Sequence, residues 1–138
     1  MGIKQISVFL ENNAGRLAEV TTTLADANIN LRAISIADTA DFGILRIIVD
    51  RQEEAIAALN AAGFTTRDTE VLVAEISDTP GALARLMELF RQTKVNIEYL
   101  YASLEGAQGK AVVIFKLSDL DAGQKIVKEN GITLLERF

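Results

Sequence analysis

The chain is written twice. Laying Gly15 over Gly81, a displacement of 66 residues, sets apolar on apolar without a gap for more than twenty positions. Leu17 falls on Leu83, Ala18 on Ala84, Val20 on Leu86 and Leu24 on Phe90. Further on, Ile29 meets Val95, Asn30 meets Asn96, Leu31 meets Ile97 and Ile34 meets Leu100. Apart from apolar positions, the copies share a glycine before a helix and an asparagine after it. A gap-free match of this length marks an internal duplication, so any fold proposed for one half must also suit the other.

Each half reads as one series of elements. "IKQISVFL" places Ile6, Val8 and Leu10 on one face, the period of a strand. Gly15 to Ala27 carries Leu17, Val20, Leu24 and Ala27 at helical spacing. "INLRAISIA" and "FGILRIIVD" are β-rich runs on either side of the polar turn "DTAD". Asp50 with Glu53 predicts a capping box opening a helix that Gly63 ends, and Phe64 to Arg67 a closing strand. The second half predicts a strand over Val71–Ile76 and a helix whose Leu83, Leu86, Met87 and Phe90 face a core. Strands over Val95–Ser103 and Lys110–Leu117 follow. A helix over Asp119–Asn130, with Ser118 and Asp121 as capping box, and a strand over Ile132–Arg137 complete it.

The order β-α-β-β-α-β, twice, predicts an α+β protein. It consists of two ferredoxin-like units, residues 1–68 and 69–138, each an antiparallel four-stranded sheet with two helices on one face. Strands such as "ILRIIV" and "AVVIF" are apolar on both sides, whereas a sheet with one wet face alternates. Units of roughly 65 residues are marginal alone. Tight packing between the halves and a homodimer are therefore expected.

Composition removes whole classes of function. With no cysteine and no histidine, disulfides, thiolate nucleophiles, zinc sites built on those residues and the commonest general base are all excluded. No acidic run has EF-hand spacing, and no cofactor is implied. The net charge of −5 argues against a nucleic-acid partner. No apolar run approaches a membrane span, and "MGIKQISVFL" lacks the build of a signal peptide, so a cytoplasmic protein is expected. The same fold serves RNA recognition, metal carriage and acylphosphatase chemistry. Here the aromatic RNP pattern, the cysteine pair and a phosphate-cradling first loop are respectively missing, Arg16 aligning with Ala82, and no nucleophile–base pair is found, so no enzyme is predicted.

"DTPGALARLMELFRQTKVNIEYLY" resembles the signature of the ACT domain, a small-molecule-binding regulatory module of amino-acid metabolism, through Asp78, Pro80, Gly81, Leu83 and Asn96. "ENNAGRLAEVTTTLADANINL" keeps Gly15, Leu17 and Asn30, with Asn12 in place of the acid and Ala14 in place of the proline. The resemblance covers the chain twice, in the manner of stand-alone tandem ACT proteins. It implies a non-catalytic sensor, homodimeric, whose amino-acid ligand sits where the first loop and second strand face each other across two units. It further implies an enzyme or regulator of amino-acid metabolism as partner.

The ligand-binding residues so implied are Asp78, Thr79, Pro80, Gly81, Ala82 and Leu83, with Val95, Asn96, Ile97 and Glu98. In the first half they are Asn12, Asn13, Ala14, Gly15, Arg16 and Leu17, with Ile29, Asn30 and Leu31. Thr79 as cap and Pro80 as first residue would put Gly81 second in the helix. Lacking a side chain there, Gly81 would leave the unpaired amides open to a ligand carboxylate. Asp78 and Asn12 could accept from an ammonium group, and Asn96 and Asn30 offer donors and acceptors. Asp-Thr-Pro-Gly equally suits a plain helix start, and the asparagines equally suit turns. The acid and the Pro-Gly pair favour the second site. The competing class is a protein-interaction module with no ligand.

Overall fold

The computed structural model describes residues 3–11, 13–38, 42–104 and 106–137. Along the chain run β1 (Ile3–Glu11), α1 (Arg16–Asp26), β2 (Leu31–Asp38), β3 (Phe42–Val49), α2 (Gln52–Ala61) and β4 (Thr65–Ser77). Then come α3 (Ala82–Thr93), β5 (Ile97–Ala102), β6 (Lys110–Leu117), α4 (Leu120–Glu129) and β7 (Thr133–Leu134). They fall into two compact units, Lys4–Thr69 and, among the described residues, 70–137 together with Ile3. Strand order is β2-β3-β1-β4 in the first and β5-β6-β4-β7 in the second, the same antiparallel plan twice.

The register makes the duplication exact in kind. Ile6 pairs with Ile47 and Leu72 with Phe115; Ile34 pairs with Ile47 and Leu100 with Phe115. Leu31/Ala33 and Ile97/Tyr99 carry matching bulges. The displacement is 66 residues as far as the second strand of each unit and 68 from the third strand on, so two residues are inserted between β5 and β6.

Four helix ends share one closure. The amides of Ile29, Phe64, Val95 and Ile132 reach back to the carbonyls of Leu24, Leu59, Phe90 and Val127 at 2.9–3.2 Å. The residue before each has φ between 58° and 90°. This is the Schellman arrangement, in which the amide two residues past the cap satisfies an orphaned carbonyl. Arg51 reinforces the end of α1, its Nη2 donating to the carbonyls of Ala27 (3.0 Å) and Asn28.

Several expected details differ. The strands over Phe64–Arg67 and Val71–Ile76 are one strand, because the intervening residues contain neither glycine nor proline and include Thr69, a strand former. The last strand shrinks from Ile132–Arg137 to two residues. Neither capping box forms. The Asp50 carboxylate accepts from the Asn30 amide at 3.1 Å, so α2 starts after Arg51 with no side-chain cap. Ser118 likewise accepts from the Asn96 amide at 2.9 Å, and Asp119 caps α4 by accepting from the Ala122 amide at 3.1 Å. The turn "DTAD" lies mostly outside the described residues.

Each unit has its own apolar core. Ile6, Val8, Val20, Leu24, Leu45, Ile47 and Leu59 anchor the first; Leu72, Leu86, Phe90, Phe115 and Val127 anchor the second. Leu17 and Leu83, expected inside, are 41% and 39% exposed, and burial of the two helices begins a turn later, at Val20 and Leu86. Val71, Val73, Val112 and Ile114 belong to the opposite sheet face and are also buried, as two-sided apolar runs require.

Gly123 in α4 marks a close approach. A Cβ there would lie 2.3 Å from Cδ1 of Leu117, itself buried, with Phe90 and Leu72 next behind it. Gly123→Ala should therefore lower stability by about 1–2 kcal/mol in urea unfolding. Overpacking of roughly 1–3 kcal/mol outweighs a helix-propensity gain of about 1 kcal/mol. A more stable variant would show that Leu117 simply changes rotamer.

Candidate functional site

The two turns that precede α1 and α3 are superposable in conformation. The Arg16 amide donates to the Asn13 carbonyl at 3.3 Å and the Ala82 amide to that of Thr79 at 3.2 Å. Gly15 and Gly81 share φ 88°, ψ −11°. These are the third-residue angles of a type II turn, which demands positive φ there and favours proline just before it. Gly81 is thus the N-cap of α3 and not its second residue, and Thr79 and Pro80 precede the helix. A Cβ at either glycine would meet no atom within 4 Å. The residue is glycine for its backbone angle and not to clear a path.

A glycine cap has no side chain to satisfy the first-turn amides, and neither α1 nor α3 has a side-chain cap bond. Their amino ends carry the partial positive charge of unpaired N–H groups.

The predicted residues distribute unevenly around these turns. Asn13 binds Glu11 twice, its amide to the carbonyl at 2.8 Å and its Nδ2 to the carboxylate at 3.1 Å. Arg16 holds Glu19 at 2.6 Å and lies with its guanidinium carbon 4.5 Å from the centre of the Phe64 ring. Ala14 and Asp78 are exposed, the Asp78 amide donating to Gly109, and Thr79 donates to the Ser77 hydroxyl at 3.3 Å. Ile29 and Val95 are core residues. Leu31 and Ile97 are half-buried beside those cores. The exposed Asn30 and Asn96 donate their main-chain amides to the Asp50 and Ser118 side chains and accept at their carbonyls from the amides of the same residues, a strand-anchoring role. Glu98 sits in the β5 bulge and pairs with Lys116 at 3.5 Å. Asn12 lies outside the described residues.

One cleft of about 250 Å3 opens at the first turn. Glu11, Asn13 and Arg16 give it a polar rim, and Leu10, Leu17, Ile36 and Gly43 an apolar wall. It gathers three predicted residues, Asn13, Arg16 and Leu17, and leaves out Ile29, Asn30 and Leu31. Glu11 was missed although it adjoins the motif, and Ile36 and Gly43 come from strands that only the fold brings near. The second turn borders a different cleft, also of about 250 Å3, that includes Ala82 alone of the predicted set. Among the described residues no cluster of Asp and Glu could hold a metal ion, and no helix is long and apolar enough to cross a membrane.

A duplicated antiparallel sheet-and-helix unit, with a glycine-turned helix terminus at the same place in each copy, defines a tandem ferredoxin-like module. The chain belongs to the ACT family: the family model for an ACT domain pair matches residues 1–137. A protein from Bacteroides thetaiotaomicron of known crystal structure is 41% identical, with a TM-score of 0.92 over 98% of this chain and 92% of its own. The ligand-free regulatory subunit of aspartate kinase from Thermus thermophilus has the same fold at 18% identity, TM-score 0.70, over 95% of this chain and 94% of its own. That from Thermus flavus matches at 20% identity, TM-score 0.63, over 91% and 90%. No curated protein matches the chain in sequence.

Proposed function

We propose that the protein is a non-catalytic cytoplasmic sensor that binds a free amino acid in the cleft at the first turn. The observation that carries this is the composition of that cleft: a carboxylate and an amide on the rim, an uncapped helix end beside them, and an apolar wall. Glu11 and Asn13 suit an ammonium group. The first-turn amides of α1 suit a carboxylate, and Leu10, Leu17 and Ile36 suit an aliphatic side chain. Membership of the ACT family supports the same reading. Asp78, Pro80 and Gly81 form the corresponding turn of the second unit and are the second candidate.

Ile36 in the wall and Phe42, next in sequence to the lining Gly43, are 52% and 58% exposed, an apolar border that a second copy of the chain would cover, giving a homodimer. Ligand would then favour one of two arrangements, and an enzyme or regulator of amino-acid metabolism would read the difference. The same exposed residues support the second reading, an interaction module without ligand.

A thermal-shift screen of the free amino acids separates the two. A ligand at about a hundred times its dissociation constant adds about 2.7 kcal/mol, a rise of several degrees. Stabilisation by one or a few amino acids is expected. A flat response at millimolar concentration would leave the interaction module.

A further inference from the structure

Gly43 is a glycine that neither the backbone nor the packing of the first unit requires. It lies in β3 and, unlike Gly15 and Gly81, has no positive φ. A Cβ there would have Cδ1 and Cγ1 of Ile36 at 3.6 and 3.8 Å and the Ala37 carbonyl oxygen at 4.0 Å as nearest neighbours, all ordinary contacts. The second repeat carries a methyl at the same register point, since Leu10 pairs with Gly43 and Ile76 with Ala111. Glycine weakens a strand relative to alanine, and within one it often marks a place where a ligand comes close to the backbone.

What this glycine provides is depth in the cleft at the first turn, which it lines. Strand pairing puts it on the helix-bearing face of the sheet. Gly43 pairs with Leu10, and Ile36 pairs with Leu45, two residues on from Gly43. Leu10 and Leu45 share the first core with Val20 and Leu24 of α1. Leu17, in the first turn of α1, closes the same space from the helix side. The cleft thus has bare backbone for a floor among three aliphatic side chains. In the second unit the wall changes along with the floor: Ala102, which pairs with Val113 as Ile36 does with Leu45, stands in place of Ile36. The first unit has the lower floor and the taller wall.

On the amino-acid reading of this cleft, which it rests on, we propose that Gly43 sets the selectivity, in favour of a branched aliphatic amino acid of leucine or isoleucine size. The side chain of such a ligand reaches the floor between Leu10 and Ile36, where a methyl at position 43 would take its place. Alanine stops short of the floor and gains nothing from its depth. Leu10, Leu17, Ile36 and Gly43 offer no polar side chain, so a polar ligand side chain would be desolvated there without a partner.

Calorimetric titration of the full chain with leucine, alanine and aspartate, wild type against Gly43→Ala, tests this. Wild type should bind leucine at least about tenfold more tightly than alanine. Gly43→Ala should lose about tenfold in leucine affinity, the discrimination one methyl gives in an apolar pocket, and keep its alanine affinity. Its urea midpoint should be no lower than that of wild type. A lowered midpoint would show that the fold itself needs the glycine and would overturn the proposal. Equal leucine affinity in the two proteins, or a preference for aspartate, would also overturn it and leave the amino-acid reading standing. A wild type that binds no free amino acid would overturn both.

Discussion

Phe90→Ala should cost about 3–5 kcal/mol of stability, the range for emptying a fully buried aromatic site. Phe90 is 1% exposed and meets Phe115 edge to face, ring centres 5.4 Å apart. Its carbonyl also accepts the Val95 amide that closes α3, so a shift of the backbone here loosens the helix end as well. Stability of a domain is about 5–15 kcal/mol in total, so such a loss approaches the whole for a small unit. Urea unfolding should show a strongly lowered midpoint, with Phe90→Leu retaining most of the difference. A loss below about 1 kcal/mol for the alanine variant would mean that the site collapses around the smaller side chain.

Gly81→Val should be the most damaging surface substitution. At φ 88° a side chain costs on the order of 1–3 kcal/mol, and a β-branched one is worst. Gly81→Asn, which visits positive φ readily, should lose much less. That ranking separates the two reasons for glycine. A backbone requirement puts asparagine close to wild type and valine far below it in denaturant midpoint. A requirement for access would leave stability level across the series and affect only ligand affinity. Gly15 has the same angles and should show the same order.

Much of this was legible in residues. The shared pattern from Gly15 and Gly81 onward carried the duplication, the element order and the two cores, because burial of a helix or strand face leaves a period in the chain. What escaped depends on partners distant in sequence. Asp50 and Glu53 read as a local cap, yet the carboxylate serves the Asn30 amide twenty residues earlier. Gly81 lay next to a proline that suits either a first helical turn or the second position of a type II turn; only the backbone angle decides. The carboxylate that lines the first cleft is Glu11, next in sequence to the motif position at Asn12, and Ile36 and Gly43 join it solely through strand pairing.

The most direct measurement is an amide NMR titration of the intact chain with the amino acid that most raises its melting temperature. Shifts concentrated at Asn13, Gly15, Arg16, Leu17 and Ile36, reduced in a Glu11→Gln variant that keeps its fold, are the expected result. Shifts confined to residues away from the first turn, or affinity unchanged by Glu11→Gln, would contradict binding at this cleft.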